Sequence, residues 1–388
     1  MLTSSSLIVI FLIALVYRWM EGDLTIAPFL LSGFVIFISY KSFRWAKSST
    51  EESRKSKSNK TLENNLLKNR YKAFPKTRNK FQITVLGGRG VGKTSLLATV
   101  YGEFERHLTR GLQLQINPST SLMRTSLSEK LGELESTLDD EIVQGISVGE
   151  SDKRSYEFDV GLPLKAPDFQ LVFNDYPGGW LRDEIHYKEV EIFLRNSAVI
   201  LWVLDASALL VRGDKAESYS TKINQTGYIT DIFKSAFKEL PQDKIKKTIL
   251  LVPIKCETWT TTKLDNQKLR THIEDECGSA VNLIKNFDPE GKYFSIAIIP
   301  VQTLGGVHFD RLQTNADNQP EFVFKRKNEQ AFYQPRYAEQ IFSYGLASIL
   351  QRYSEQSGSN KFNAAQKKLE QRRNTKEDEG FKVLHGKF

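Results

Sequence analysis

The segment FQITVLGGRGVGKTSLL, residues 81–97, constrains the fold more than any other part of this sequence. It opens with a mostly apolar run that is typical of a buried strand, and the residues from Thr94 onward are typical of a helix. Between them lies the pattern G-x4-G-K-T, which binds phosphate when it connects a strand to a helix. The sequence therefore predicts a phosphate-binding loop at the centre of an α/β fold.

Each residue type in this loop has a chemical reason. Glycines let the backbone approach a phosphate closely because no Cβ atom intervenes, and successive N–H groups with the helix start attract the anion. Lys93 is expected to reach the β- and γ-phosphates, and the Thr94 hydroxyl to bind Mg²⁺. The predicted nucleotide-binding residues of the loop are Gly87, Gly88, Arg89, Gly90, Val91, Gly92, Lys93, Thr94 and Ser95.

A second motif begins where the apolar segment LVFND ends, at Asp175. An aspartate at a strand end is well placed to hold Mg²⁺ through water. Asp175-x-x-Gly178 matches the second signature of GTPases, in which the glycine N–H contacts the γ-phosphate and the next loop responds to the nucleotide. A simple β-turn at Tyr-Pro-Gly-Gly is the alternative. We predict Lys93, Asp175 and Gly178 as catalytic residues, and Thr94 and Asp175 as metal ligands.

A third motif follows the apolar segment TILLVPI. GTPases carry Asn-Lys-x-Asp at such a strand end, where the lysine lies along the base and the aspartate accepts the guanine N–H groups. Here the positions hold Ile254, Lys255, Cys256 and Glu257. Lysine is kept and glutamate accepts the same hydrogen bonds, whereas isoleucine cannot replace asparagine. Lys255 and Glu257 favour GTP, with ATP or no base preference as alternatives, and Gln302 is expected to add backbone contacts.

Two apolar segments precede the phosphate loop, residues 2–19 and 24–40. Each is near the short limit for a membrane-spanning helix, roughly 17 residues. An acidic link separates them and basic residues follow, which places both ends in the cytoplasm by the positive-inside rule. We therefore predict a transmembrane hairpin over residues 1–45 in a bacterial inner membrane, followed by a basic linker over residues 46–79. A cleaved signal peptide and a buried core hairpin are the alternatives.

The other apolar runs predict a doubly wound, mostly parallel sheet. Residues 198–205 and 248–254 are nearly all apolar, as expected for strands buried on both faces. The regions predicted around them are a P-loop domain over residues 80–353, an inserted helix near 119–142, an irregular stretch over 305–335, and a charged C-terminal tail over 354–388.

Composition argues against several other functions. The net charge of +8 is concentrated between the apolar segments and the phosphate loop and near the C-terminus. No basic helix is interleaved with aromatic residues, so nucleic acid is an unlikely partner. Cys256 and Cys277 lack metal-ligand spacing and are predicted to be reduced thiols. The five histidines are scattered, so Mg²⁺ on the nucleotide is the only metal that we expect.

The phosphate loop, DYPGGW, VPIKCE and PVQTLGG together resemble the motifs of translation-factor-related P-loop GTPases. More narrowly, the sequence is similar to a bacterial double-GTPase family predicted to act in conflict, or anti-phage, systems. That family combines a Tyr-Pro-Gly second switch, a Lys-x-Glu-like base motif and a C-terminal Tyr-x-Pro segment, here Tyr333-Gln334-Pro335. The resemblance covers about residues 80–353. It implies GTP and GDP binding, hydrolysis with Mg²⁺, and a role in antiviral defence.

The sequence departs from the GTPase pattern at the position that orients water. Many GTPases have glutamine after D-x-x-G, whereas this sequence has Gly179. His186 is a candidate substitute for that glutamine. Arg89 is a candidate arginine finger in cis, with a surface-pointing loop arginine as the alternative, and Thr120 and Ser147 are candidates for the first-switch threonine. We therefore expect slow hydrolysis that a protein partner or self-association accelerates.

The predicted function is a membrane-anchored switch that binds GTP, hydrolyses it with Mg²⁺, and contacts the lipid bilayer and an unknown protein effector. Two alternatives remain. One is a GTPase of membrane protein transport or assembly, and the other is a nucleotide-binding scaffold with little turnover.

Overall fold

The computed structural model describes residues 79–143, 153–212, 219–238, 246–314 and 320–388. All of them belong to one compact unit, Thr77–Phe388. The other unit, Met1–Lys76, lies outside the described residues. The predicted hairpin over residues 1–45 and nearly all of the predicted linker fall there.

The described strands are β1 (Asn79–Leu86), β2 (Gln115–Pro118), β3 (Ile142–Val143), β4 (Arg154–Gly161), β5 (Phe169–Asp175), β6 (Ser197–Asp205), β7 (Lys247–Ile254), β8 (Phe294–Ile298), β9 (Val307–Thr314), β10 (Pro320–Arg326) and β11 (Lys382–His385). Eight of them form one sheet in the order β11-β8-β7-β6-β1-β5-β4-β2. The strands from β8 to β5 are parallel, and β11, β4 and β2 are added antiparallel. The sheet is therefore mixed, with a parallel centre.

The described helices are α1 (Lys93–Glu103), α2 (Thr109–Leu112), α3 (Ser121–Ser136), α4 (Glu184–Asn196), α5 (Ala206–Leu210), α6 (Ser220–Ile223), α7 (Thr226–Ala236), α8 (Lys263–Phe287), α9 (Ala338–Ile341), α10 (Ala347–Ser357) and α11 (Asn363–Gln371). Two π-helical turns, Phe104–Leu108 and Phe342–Leu346, connect helices, and 3-10 turns occupy Gly178–Arg182 and Glu377–Glu379.

The sheet is covered on both faces, and strand β6 shows why. Its side chains alternate between the faces, as pleated strands require. Val199, Leu201 and Val203 pack in a core with helices α1, α9, α10 and α11, whereas Ile200, Trp202 and Leu204 pack in a second core with α4, α7 and α8. A strand buried on both faces must be apolar throughout, which explains the run AVILWVL.

The predicted membrane-spanning element is not supported. Among the described residues, no helix is long and apolar enough to cross a membrane. The longest described helix, α8, has 25 residues but carries charged side chains along its length. For the residues that the structure describes, we therefore correct the fold class to a mixed α/β domain with a large sheet and without a membrane-spanning helix, and we withdraw the predicted inner-membrane localisation.

A second, smaller sheet replaces the irregular stretch predicted over residues 305–335. Strands β9 and β10 pair antiparallel, and β10 also pairs with β3. The inserted helix predicted near residues 119–142 is shorter than expected, because α3 ends at Ser136 and the chain then forms β3. Pairing of β3 with β10 brings together segments that are far apart in the sequence.

The C-terminal residues 354–388, predicted as a charged tail, are instead part of the domain. Helix α11 packs on α10, and β11 pairs antiparallel with the sheet edge at β8. Phe362, Leu369 and Phe381 are at most 1% exposed. These apolar side chains are widely spaced among charged ones, so the sequence pattern does not indicate that they belong to the core.

Candidate nucleotide-binding site

The phosphate loop connects β1 to α1 and folds around the side chain of Lys93. Its Nζ atom donates hydrogen bonds to the carbonyl oxygens of Gly87 and Gly88, both at 3.0 Å. Burial lowers the pKa of Lys93 to about 8, against the attraction of Asp175, which raises it. The lysine is thus held inside the loop by backbone acceptors, and it gains stability as a cation when further negative charge approaches.

Two glycines of the loop are required by the backbone itself. Gly90 and Gly92 have φ values of +79° and +105°, a region that side chains with a Cβ atom rarely adopt. A Cβ atom at Gly92 would also lie 2.6 Å from Cδ1 of Ile254 at the end of β7. The loop therefore packs directly against the strand that carries the third motif.

Thr94 and Asp175 are brought together from the start of α1 and the end of β5. The Thr94 hydroxyl lies 3.4 Å from Oδ2 of Asp175. Burial raises the pKa of Asp175, while Lys93 and the hydrogen bond from Thr94 lower it. Mg²⁺ prefers hard oxygen ligands and commonly takes one or two from the protein beside phosphate and water. This hydroxyl and carboxylate fit that requirement.

The described residues lack a cluster of metal-ligating side chains. They contain no group of three or more His, Cys, Asp or Glu side chains that could hold an ion. A metal at Thr94 and Asp175 would thus depend on additional ligands from a bound phosphate.

Gly178 lies against the phosphate loop itself. A Cβ atom there would overlap the amide nitrogen of Arg89 and the carbonyl carbon of Gly88. The next residue differs, because a Cβ atom at Gly179 would have no described atom within 4 Å. The second motif therefore touches the loop through one glycine.

A cavity extends from the phosphate loop to the end of β7. Gly92 and Ser95 line it on one side, and Lys255, Glu257 and Thr303 line it on another. The remaining wall is mostly apolar and consists of Leu134, Thr137, Val143, Ile254, Leu304, Val307, Phe322 and Phe324. The first and third sequence motifs thus open into the same space.

Glu257 presents a carboxylate oxygen that the described protein does not use. Its Oε1 atom accepts hydrogen bonds from the amides of Leu304 and Gly305, at 2.8 and 3.2 Å. Its Oε2 atom is buried and has no hydrogen-bond partner among the described residues. Burial raises the pKa of Glu257, while the bonds from these amides lower it. The side chain is thus fixed in direction, it lines the cavity, and one of its buried carboxylate oxygens lacks a hydrogen-bond partner in the described part of the chain.

Lys255 is held in place by Asp205 at the end of the neighbouring strand. Its backbone is left-handed, with φ of 58°, and Nζ donates to Oδ2 of Asp205 at 2.5 Å. Oδ1 of Asp205 accepts the amides of Ser207 and Ala208 and so caps α5. A 1% exposed carboxylate therefore orients the lysine beside the cavity.

Gln302 is near the cavity but does not line it. Its side-chain amide donates to Thr260, and its backbone forms a bridge with Arg336. The next residues, Thr303 and Leu304, line the cavity instead.

The candidate arginine finger, Arg89, and the candidate substitute for a water-orienting glutamine, His186, have different surroundings. Arg89 is exposed. The His186 ring bonds Asp183 at 2.7 Å and stacks on Trp180 with 4.2 Å between ring centroids. His186 therefore stabilises the turn after the second motif.

Of the two first-switch candidates, Thr120 is the one that the structure describes, and it does not line the cavity. Thr120 caps α3 by accepting the amide of Met123. Thr137, at the other end of α3, lines the cavity. At 1.5 Å per helical residue, the length of α3 separates Thr120 from Thr137 by roughly 25 Å. Ser147 lies outside the described residues.

Sequence reasoning missed Asp205, Phe322 and Phe324. Asp205 ends an apolar strand, as Asp175 does, and that pattern could have identified it. The alternation Phe-Val-Phe at residues 322–324 is typical of a strand, but nothing local places it beside the base motif.

The strand order and the phosphate loop together define a mixed α/β fold with a glycine-rich loop between β1 and α1. No protein-family model and no curated protein matches the chain. Among solved structures, it is similar to the GTPase-like domain of S. cerevisiae Ski7 bound to GTP, with 18% identity and a TM-score of 0.35. That match covers 58% of this chain and 43% of the other.

The same Ski7 domain bound to GDP and inorganic phosphate is similar at 20% identity, with a TM-score of 0.36. The match covers 62% of this chain and 46% of the other. The chain therefore spans less than half the length of these solved structures.

Proposed function

We propose that this domain binds GTP with Mg²⁺ and hydrolyses it slowly, acting as a nucleotide-dependent switch. The observation that carries the proposal is the cavity that joins Gly92 and Ser95 of the phosphate loop to Lys255 and Glu257. A triphosphate in the loop would place its base in that cavity.

The phosphate end of the site supplies charge and donors. Lys93, already inside the loop, would contact the β- and γ-phosphates, and the Gly178 N–H would donate to the γ-phosphate. Thr94 and Asp175 would hold Mg²⁺, which neutralises charge on the phosphates when bound. Gly179 offers no side chain to orient water, so we expect turnover to be slow without a partner.

The base end of the site favours guanine because Glu257 is a hydrogen-bond acceptor and the guanine edge carries donors. Guanine presents N1–H and an exocyclic amine on one edge, and the free Oε2 atom of Glu257 would accept from them. Adenine presents the lone pair of N1 there, which leaves a buried acceptor unpaired. Sites that hydrogen-bond a substrate group discriminate strongly against analogues that lack it.

We infer the switch property from Gly178, which lies against the phosphate loop and is also the first residue of the Gly178–Arg182 turn. Arg182 donates to the carbonyl oxygen of Lys222 at 3.2 Å and lies over the Tyr228 ring. A shift of Gly178 on hydrolysis would therefore reach α6 and α7. We propose these elements as the output of the switch.

Calorimetric titration of the purified full-length protein with GTP, GDP and ATP in Mg²⁺ tests the nucleotide. GTP and GDP should bind more tightly than ATP. Glu257→Gln keeps an oxygen for Leu304 and Gly305 but replaces the free acceptor with a donor. This substitution should weaken GTP binding at least about tenfold. It should strengthen binding of the xanthine nucleotide XTP, because xanthine has a C2 carbonyl in place of the exocyclic amine of guanine. Equal binding of ATP and GTP by the parent protein would contradict the guanine assignment.

Membership of the double-GTPase family and a role in bacterial conflict rest on the sequence motifs alone. They stay a hypothesis, tested by phage challenge of cells that carry the parent gene or the Lys93→Ala variant. Equal sensitivity of both strains to every phage tested would argue against a defence role.

A further inference from the structure

The apolar wall of the cavity is formed by the small sheet. Phe322 and Phe324 of β10 both line the cavity, and they lie on one face of the strand because they are two residues apart. Val323, between them, belongs to the other face and is 5% exposed. The strand thus directs two aromatic rings to the space beside Lys255 and Glu257.

The rings are fixed by their own packing. Phe324 is 7% exposed and packs with Leu138, Val143 and Val307. Phe322 forms an edge-on contact with Tyr219, with 5.9 Å between ring centroids. An aromatic surface that is held before a ligand arrives loses little conformational entropy on binding.

The small sheet is also bonded to the segments that recognise the base edge. The amide of Phe309 on β9 donates a hydrogen bond to the hydroxyl of Thr258 at 2.7 Å. Thr258 is the residue that follows Glu257 in the sequence. Lys327, after β10, donates from Nζ to the carbonyl oxygen of Gly305 at 3.0 Å. Gly305 is one of the two residues whose amides bind Glu257. The acceptor and the aromatic wall are therefore positioned by one connected unit.

We propose that the small sheet is the cover of the nucleobase site, and that Phe322 and Phe324 pack on the base while Glu257 binds its edge. A purine has an apolar aromatic face and a polar edge, and the cavity supplies a surface of each kind. Base–aromatic packing contributes to affinity without selecting one base, so these residues set affinity for the nucleoside part and Glu257 sets the choice of base. This inference rests on the proposed function.

The test separates base binding from phosphate binding. The full-length protein and its variants are titrated with GTP and with inorganic triphosphate, both with Mg²⁺. Phe322→Ala and Phe324→Ala should each weaken the binding of GTP by about fivefold to 100-fold. Neither should change the affinity for inorganic triphosphate. Val323→Ala removes a buried apolar side chain from the opposite face of the same strand, and it should leave the ratio of the two affinities unchanged.

Phe322→Leu and Phe324→Leu retain apolar volume and keep the test valid if an alanine variant does not fold. They should weaken GTP less than alanine does. If the ratio of GTP affinity to inorganic triphosphate affinity is unchanged in all folded Phe322 and Phe324 variants, the small sheet does not cover the base. The proposed function would be unaffected by that result. If the parent protein binds neither ligand, the proposed function itself fails.

Discussion

Gly178 faces the backbone of Arg89 so closely that a Cβ atom on Gly178 would lie 2.6 Å from Arg89 Cα. The second motif and the phosphate loop therefore touch through backbone atoms, which cannot rotate away as a flexible side chain can. A methyl group at Gly178 must separate the two segments, and any donor that Gly178 offers to a γ-phosphate moves with them.

This contact predicts opposite results for two adjacent glycines. Gly178→Ala should lower the free energy of unfolding by about 1–3 kcal/mol through overpacking and reduce GTP hydrolysis by at least about tenfold. Gly179→Ala should change neither, because its Cβ atom would meet no described atom within 4 Å. Thermal unfolding and single-turnover hydrolysis measure the two effects. Equal behaviour of the two variants would contradict a role for the Gly178 contact.

The lowered pKa of Lys93 predicts how triphosphate binding depends on pH. In the free protein this pKa is about 8, and bound phosphate raises it, so binding above pH 8 takes up a proton. Affinity should be highest below pH 8 and fall above it, by at most about tenfold per pH unit. Titration with inorganic triphosphate from pH 7 to 9.5 measures this.

Lys93→Ala is the control for that measurement, because it keeps the ionisation of the ligand and removes that of the lysine. Its affinity should be lower and its pH dependence weaker. If the parent protein and the variant share one pH profile, Lys93 does not contact the phosphates as a cation.

The pair Asp205 and Lys255 predicts separate effects on binding and stability. Asp205→Asn keeps an oxygen that can cap α5 but loses the charge that orients Lys255. It should weaken GTP about tenfold, since hydrogen bonds to charged groups contribute about 1.5–3 kcal/mol, with little change in melting temperature. Asp205→Ala loses the cap as well and should cost about 1 kcal/mol more in unfolding free energy.

Both Asp205 variants are measured by GTP titration and chemical denaturation. The informative quantity is the difference between them. A loss of stability in Asp205→Asn as large as in Asp205→Ala would show that the ion pair, rather than the cap, is the structural contribution.

The C-terminal segment predicts a stability difference between two nearby residues. Phe381 is fully buried and packs edge-on to Tyr337 at 5.0 Å, whereas Val383 on β11 is 41% exposed. Phe381→Ala should cost about 3–5 kcal/mol, and Val383→Ala about 0.5 kcal/mol or less. Urea unfolding of the full chain measures both. Equal stabilities would mean that the segment does not contribute to the core.

Local pattern was sufficient for some parts of this protein. The segment of residues 81–97 contains its own strand, loop and helix start, and β1 and α1 have nearly the bounds that the sequence suggests. Asp175 is likewise placed by an apolar strand that ends at it. These features depend on alternation and on glycine backbone preferences, which act between residues that are close in the chain.

Local pattern was misleading where apolar residues were sparse. The sequence pattern predicts polar, irregular chain for residues 305–335 and 354–388, yet these residues supply two strands of the small sheet and one strand of the large sheet. Strand pairing depends on a partner that is distant in sequence, and neither segment has enough apolar surface to indicate that partner.

The sequence by itself determined the phosphate loop, the apolar strands and the residue types that can bind a nucleotide, because each depends on a short stretch of chain. Only the tertiary structure decided that Asp205 orients Lys255, that Gly178 touches Arg89, and that β10 covers the cavity beside Glu257. Those relationships join residues from separate strands and loops. The physical reason is that packing and hydrogen bonding between distant segments depend on which strands are neighbours, and no local pattern encodes that order.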